Sequence, residues 1–250
     1  MVNLKHLFSN TELYLPSIGK PMKLEFISNV VLGDGVDNFQ KCFPRIKKLT
    51  TTLYLDEEND FEELLYLETL VLIGSGSRRR ESTEPEFLRG EPNLGKILIG
   101  FPAALKQLAI RRCHLPWSNM SIIQSLPNLV ALEIRHNGFE GTLWETGEKQ
   151  FQQLKFLGLF DLNIKQWETS SLNFPRLEQL KVGGCVDLEE IPLELGDIPT
   201  LQTIEVSDCA PSLRLSVLKI QKEQYDVGNC ELKIIVDEVE MPSFAPTYDD

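Results

Sequence analysis

One motif, Leu-x-x-Leu-x-Leu with isoleucine or valine allowed at its later positions, recurs along the chain and constrains the fold more than any other feature. Its clearest copies begin 24, 25, 23 and 24 residues apart, at Leu105, Leu129, Leu154, Leu177 and Leu201. Five consecutive copies at so constant a spacing are not expected by chance, and a fixed period is characteristic of chains built from stacked units. The sequence therefore predicts a stack of repeating structural units.

The ninth position of each copy identifies the class of repeat. In leucine-rich repeats this position carries asparagine or cysteine, and here it reads Cys113, Asn137, Leu162, Cys185 and Cys209, so only Leu162 departs. An apolar residue stands three places before the start of a repeat and is often followed by proline. Proline there ends the outer segment and returns the chain to an extended strand. We therefore predict an α/β leucine-rich repeat solenoid, with a curved parallel β-sheet on the concave face and irregular or short helical segments on the convex face.

The repeats are less regular before about residue 100. Copies in this half are predicted to start at Leu4, Leu24, Ile46 and Leu67. The long interval between Leu67 and Leu105 indicates one repeat that carries an insertion, a mobile loop at about 74–93 followed by a strand-like segment at 94–99. Because residues 1–7 already resemble the interior of a repeat, we expect this chain to be the carboxy-terminal part of a longer protein.

The end of the chain departs from the repeat pattern. The repeats are predicted to occupy 1–212 and a C-terminal cap to occupy 213–240, with an amphipathic helix at 216–225. A closing edge strand is predicted from the alternation of Leu232, Ile234 and Val236. Residues 241–250, with two prolines and terminal aspartates, are predicted to form a disordered acidic tail.

Charge and composition narrow the classes of partner. The formal net charge is -12, from 37 acidic and 25 basic residues, which argues against nucleic acid and against an anionic bilayer. No segment approaches the roughly 20 apolar residues that a membrane-spanning helix needs. The five cysteines include no close pair of the kind found in zinc sites or disulfide frameworks, so we expect a reducing compartment. The predicted partner is a protein, with neither nucleic-acid binding nor membrane insertion.

The sequence contains no motif of catalysis. There is no phosphate-binding glycine loop, and neither a nucleophile elbow nor a zinc-binding helix motif surrounds the three histidines. The ladder cysteines are interpreted as buried structural thiols. Trp117, Trp144 and Trp167 occur at similar places in their repeats, which favours core packing on the outer layer over a ligand site. We therefore predict no catalytic residue, no metal site and no enzymatic activity.

The informative residues are those whose side chains alternate outward from the strands, at the third, fifth, seventh and eighth positions of each repeat. The candidates for protein binding are Arg111, Arg112, Glu133, Arg135, Phe156, Phe160, Lys181, Glu205 and Asp208. They run from basic residues through two aromatics to acidic ones, so a graded surface with an apolar centre is expected, a composition common in protein contacts. A solvated sheet face with incidental aromatics is the alternative interpretation.

Three segments of the chain resemble a known family. They are LKQLAIRRCHLPW, IIQSLPNLVALEIRHNGFEG and LNFPRLEQLKVGGCVDLEEIPLELGDIPTLQTIEVSDC. These segments resemble the repeat domain of plant coiled-coil NLR immune receptors, and the late blight resistance protein-like subgroup is the most similar. The most specific part is the stretch from Cys185 to Leu201.

The resemblance implies a role in plant defence and the hypersensitive response. It implies a domain that recognises a pathogen effector or a guarded host protein and that autoinhibits an attached nucleotide-binding domain. ATP or ADP would bind that separate domain, so no cofactor is expected in this chain. The extracellular receptor class would show LxGxIP repeats and capping cysteine pairs, which are missing, so a cytoplasmic location is expected. The alternative is the substrate-recognition domain of an F-box ubiquitin ligase, which predicts an adaptor-binding helical segment upstream.

Overall fold

The computed structural model describes residues 5–8, 13–14, 23–31, 36–54, 59–75 and 98–241. Its strands, in chain order, are β1 (His6–Leu7), β2 (Leu13–Tyr14), β3 (Phe26–Val31), β4 (Lys48–Tyr54), β5 (Asn59–Asp60), β6 (Thr69–Ser75), β7 (Leu98–Gly100), β8 (Gln107–Arg111), β9 (Leu115–Pro116), β10 (Ala131–Arg135), β11 (Phe139–Glu140), β12 (Leu143–Glu145), β13 (Phe156–Phe160), β14 (Gln166–Glu168), β15 (Gln179–Gly183), β16 (Thr203–Ser207), β17 (Lys233–Val236) and β18 (Val239–Glu240). The helices are α1 (Val36–Cys42), α2 (Met120–Gln124) and α3 (Pro211–Asp226), with 3-10 turns at Trp117–Asn119, Ser171–Asn173 and Leu193–Asp197.

One large sheet takes a strand from each repeat. Across the described residues its order is β1-β3-β4-β6-β8-β10-β13-β15-β16-β17-β18, with β2 also paired to β3. All of these pairs are parallel except β17 with β18. Equivalent repeat positions pair directly, so that Leu108, Leu132, Leu157, Leu180 and Ile204 form one continuous row. The predicted leucine-rich repeat solenoid is confirmed.

The hydrophobic core lies behind this sheet and continues through every repeat. Leu132 and Ile134 of β10 are fully buried while their strand neighbours are partly exposed, and β6, β8 and β16 repeat this alternation. On the outer layer, β9 pairs with β11 and β12 with β14. Trp144 stacks between Trp117 and Trp167, with ring centroids 4.8 and 4.9 Å apart. The predicted packing role of the tryptophans is confirmed, because all three are buried.

The long interval between the fourth and fifth predicted repeats contributes no strand to the described part of the main sheet. Strand β6 pairs directly with β8, so these two repeats are neighbours, as predicted. Within the predicted strand-like segment 94–99, only the end belongs to a described strand, β7, which pairs with β5 outside the main sheet. The predicted insertion begins too early, because β6 continues through Ser75, and the rest of it at 76–93 lies outside the described residues.

The cap differs from its prediction in two ways. Helix α3 begins at Pro211, inside the predicted repeats and five residues before the predicted helix start at 216, because proline at the first helical position needs no backbone hydrogen bond. Strand β17 was expected to be the edge of the sheet, which is wrong: β18 pairs with it in antiparallel fashion and covers it. The part of the predicted tail at 242–250 lies outside the described residues.

Candidate functional site

The eighth repeat position lies on the rim of the sheet. Arg112 and Asp208 each follow their strand by one residue, with left-handed φ angles of 55° and 51°. A strand that continued regularly would turn this position into the core, as it does for the buried Leu53 of β4. The left-handed conformation instead leaves Arg112 and Asp208 exposed. These two candidates therefore belong to the rim, and only the third, fifth and seventh positions form the concave face.

An ion cluster on β8 and β10 joins three of the candidates. The Nη2 atom of Arg111 lies 3.1 Å from Oε1 of Glu133. The Nε atom of Arg135 lies 2.7 Å from the same oxygen, and its Nη2 atom lies 3.1 Å from Oε2. All three side chains are partly buried on the concave face. One carboxylate thus fixes two guanidinium groups.

The ion cluster changes the acidity of its carboxyl group. Burial on its own would raise the pKa of Glu133, but the hydrogen bonds and positive charges of Arg135 and Arg111 outweigh burial and lower the pKa below its usual value. A depressed folded-state pKa means that the stabilisation is complete above the pKa of the unfolded chain, near 4.5. The stabilisation is lost as the pH falls through the lower folded-state pKa.

This linkage predicts a specific pH dependence. We expect the difference in the free energy of unfolding between the parent chain and Glu133→Gln to be constant at neutral pH and to shrink below about pH 4.5. Denaturant unfolding measured at a series of pH values checks it, together with carboxyl NMR of Glu133. A matched variant, Glu205→Gln, controls for loss of any concave carboxylate. A difference that grew on acidification would contradict the assignment.

Two aromatic rings occupy the centre of the concave face. Phe156 and Phe160 lie at the two ends of β13, and both are partly exposed. A Cβ atom at Gly158 would lie 2.7 Å from the ring of Phe160 and 3.2 Å from that of Phe156, and a Cβ at Gly183 would lie 3.1 Å from the Phe160 ring. Because the two glycines have no side chain, they leave the space that the rings occupy over the sheet. The sequence indicates the phenylalanines as outward residues but gives no sign of the supporting role of the glycines, which occupy outward positions as well.

The ion cluster also touches this aromatic pair. The guanidinium carbon of Arg135 lies 3.9 Å from the centroid of the Phe160 ring, a cation–π contact. Glu133 and Phe160 together hold Arg135 from two sides, and the guanidinium is left partly exposed. The structure therefore brings Arg111, Glu133, Arg135 and Phe160 together as one surface.

The remaining candidates form a separate pair. Lys181 and Glu205 are direct neighbours on β15 and β16, and their charged atoms are 2.6 Å apart. Opposite charges on adjacent strands offset one another, so Lys181 and Glu205 form a local ion pair on the concave face. This pairing follows from the register, because aligning the repeat starts places Lys181 opposite Glu205.

Comparison with known proteins identifies relatives of the chain, although no protein-family model matches it. It is 32% identical over 203 residues to a late blight resistance protein homologue of Solanum demissum, covering 78% of this chain and 15% of that protein. A second such homologue is 28% identical over 252 aligned residues, or 96% of this chain and 19% of that protein. A late blight resistance protein of the same species is 40% identical over 96 residues, or 38% of this chain and 7% of that protein.

The homologues of this chain are late blight resistance proteins. The resemblance inferred from the sequence is thereby confirmed, and the solenoid is consistent with a leucine-rich repeat region of such a resistance protein. The chain spans less than a fifth of the length of these late blight resistance relatives.

The stretch that most resembled the late blight resistance family forms part of the core. Its regularly spaced apolar residues are all buried: Cys185, Leu188, Ile191, Leu195, Ile198 and Leu201. The Sγ atom of Cys185 lies 3.6 Å from the carbonyl oxygen of Gly183, and burial raises the pKa of this thiol to about 12. The most recognisable part of the sequence therefore builds the solenoid, and the candidate contact residues lie elsewhere.

The cysteines and histidines are placed as structural and rim residues. Cys113, Cys185 and Cys209 are buried thiols, as predicted, and burial raises the pKa of each. His114 and His136 lie on the rim. The Nδ1 atom of His114 is 3.2 Å from Oε2 of Glu140, and the Nδ1 atom of His136 is 3.0 Å from Oδ2 of Asp161. Within the described ranges, no three histidine, cysteine or carboxylate side chains gather as a metal site would require. None of the helices in that part of the chain is long and apolar enough to span a bilayer.

Proposed function

We propose that this chain is the protein-binding repeat domain of a cytoplasmic plant immune receptor, without enzymatic activity of its own. Its concave face contacts a pathogen effector or a guarded host protein, or it holds the receptor's own nucleotide-binding domain at rest. ATP or ADP binds that separate domain, so this chain carries no cofactor. The names of the homologues support a role in disease resistance, and the solenoid supports binding of proteins.

The observation that carries the proposal is the partly exposed Phe156 and Phe160 pair beside Arg135. Aromatic and arginine side chains contribute most of the binding energy in many protein interfaces. Here they are already held in place, by the glycines beneath the rings and by Glu133 beside the guanidinium. A surface ordered before binding loses less conformational entropy on contact. The alternative of incidental surface aromatics does not account for the two glycines that make room for them.

The proposal predicts that replacing Phe156 and Phe160 together by alanine removes one of these contacts. In the full receptor that carries this chain, we expect either loss of the response to the pathogen molecule or cell death without it. Loss of two aromatic anchors weakens a protein contact by roughly tenfold or more. Both outcomes are measured by expressing the receptor variant in leaves, with and without the pathogen molecule, and scoring cell death.

The control is the pair Leu172→Ala and Val186→Ala. These side chains are 70% and 65% exposed and lie outside the strands of the main sheet, so their removal takes away similar apolar surface without touching the concave face. We expect the control receptor to respond as the parent does. If the concave double variant, produced at the parent level, also left both the resting state and the response unchanged, the proposal would be wrong.

A further inference from the structure

A shallow depression lies on the concave face next to Phe156. It crosses four neighbouring strands, β6, β8, β10 and β13, and has a volume of about 250 Å³. This volume is below the roughly 300–1,000 Å³ of typical small-molecule sites. The depression has room for a side chain of a partner protein rather than for a metabolite.

Small side chains form the floor of this depression. Ala109 pairs with Val71 on one side and with Glu133 on the other. Ala131 pairs with Gln107 and with Phe156. Because each alanine stands between two larger residues, the sheet surface sinks at these positions. Apolar atoms of Val71, the two alanines and Phe156 make it a suitable place for a bulky apolar side chain.

One end of the depression carries positive charge. Arg111 and Arg135 share the single carboxylate of Glu133, so one positive charge is in excess. Arg111 donates to Glu133 only through Nη2, and its buried Nε has no partner among the described residues. Arg112 adds an exposed guanidinium on the adjacent rim. On a chain with a formal net charge of -12, this is a local site for a carboxylate.

We propose that the depression receives one bulky apolar side chain of the protein partner, and that a neighbouring aspartate or glutamate of the partner pairs with Arg111. This inference rests on the proposed function, because it specifies the partner of the same concave face. It defines the partner by chemistry: an apolar residue and an acidic residue close together on one exposed segment. Burial of the apolar side chain supplies affinity, and the arginine sets its orientation.

Selection from a phage-displayed library of random peptides on the purified chain tests this inference. We expect the enriched peptides to share an apolar residue with an acidic residue nearby. Ala131→Leu fills the floor of the depression, and Arg111→Gln removes its positive charge. Each substitution is expected to lower the affinity for the enriched peptides by roughly tenfold. Arg176→Gln, which removes an exposed arginine outside the strands of the main sheet, is the matched control and is expected to leave binding unchanged.

A measurement on the peptide side avoids any effect of the variants on folding. Replacing the apolar residue of an enriched peptide by alanine, or its aspartate by asparagine, is expected to weaken binding to the unmodified chain by a similar factor. No enrichment, or peptides that bind Ala131→Leu and Arg111→Gln as tightly as the parent, would overturn the inference.

The two proposals fail in different ways. Suppose that the Phe156 and Phe160 variant alters the receptor, but the enriched peptides bind Ala131→Leu and Arg111→Gln as tightly as the parent. In that case the inference about the depression is wrong, and the proposed contact of the concave face stands. If peptides depend on the depression while the receptor variant behaves normally, the depression is a real peptide site and the immune function of the face is wrong.

Discussion

Replacing Trp144 by alanine is expected to lower the free energy of unfolding by about 3–5 kcal/mol, the usual cost of removing a large buried aromatic side chain. Trp144 is 0% exposed and stacks between Trp117 and Trp167. Its removal leaves a cavity that joins three repeats, which is damaging in a solenoid because each repeat is stabilised by its neighbours. Denaturant unfolding followed by circular dichroism measures the effect.

The matched control for Trp144 is Leu172→Ala. Leu172 is also on the outer layer but is 70% exposed, so we expect a change within about 0.5 kcal/mol. Equal destabilisation by the two substitutions would show that the tryptophan stack is not part of the core, and the packing described above would have to be revised.

The second large effect is expected at Gly74. Strand β6 continues through this residue, which is buried, so its missing side chain would point into the core. A Cβ atom there would collide with the carbonyl group of Arg112 and would lie 2.8 Å from the Cα of Cys113. Both are backbone atoms just beyond the end of β8 and cannot rotate away. Gly74→Ala is therefore expected to destabilise the protein by about 3 kcal/mol, at the upper end of overpacking effects.

Gly147→Ala separates this collision from the ordinary cost of replacing glycine. Gly147 has a φ of 72° and no heavy atom near its would-be Cβ, so its substitution should cost only the roughly 1–2 kcal/mol of a left-handed alanine. Unfolding measured under the same conditions compares the two variants. A smaller loss for Gly74→Ala than for Gly147→Ala would contradict the close approach of β6 to β8.

The strands could be predicted from the sequence because their pattern is local. Every strand that begins a repeat in the main sheet starts two residues after its predicted repeat start, from His6 and Phe26 to Thr203. Inward leucines recur within a few residues of one another, so their spacing alone reveals the strand and its buried side. The same reasoning explains why the repeat starts in the less regular first half agree with strands β1, β3, β4 and β6.

The arrangement of the candidate surface could be predicted only in part. The outward positions follow from the alternation along each strand, but their neighbours in space belong to other repeats. The shared carboxylate of Glu133 and the contact of Arg135 with Phe160 therefore depend on strand register and side-chain conformation. The rim position was assigned to the strand because a left-handed residue such as Arg112 breaks the alternation without a glycine to signal it. The start of α3 was missed because residues 211 and 212 were predicted to belong to the last repeat, although proline is common at the first position of a helix.

The central claim is that alternate side chains of the sheet are free to meet another protein. Thiol labelling of Ala131→Cys and Leu132→Cys tests it directly, in a Cys230→Ser background that removes the exposed native thiol. The two positions are adjacent on β10 but point to opposite sides. We expect rapid labelling at 131 and labelling at 132 only as fast as the protein unfolds. Equal rates, or faster labelling at 132, would contradict the account.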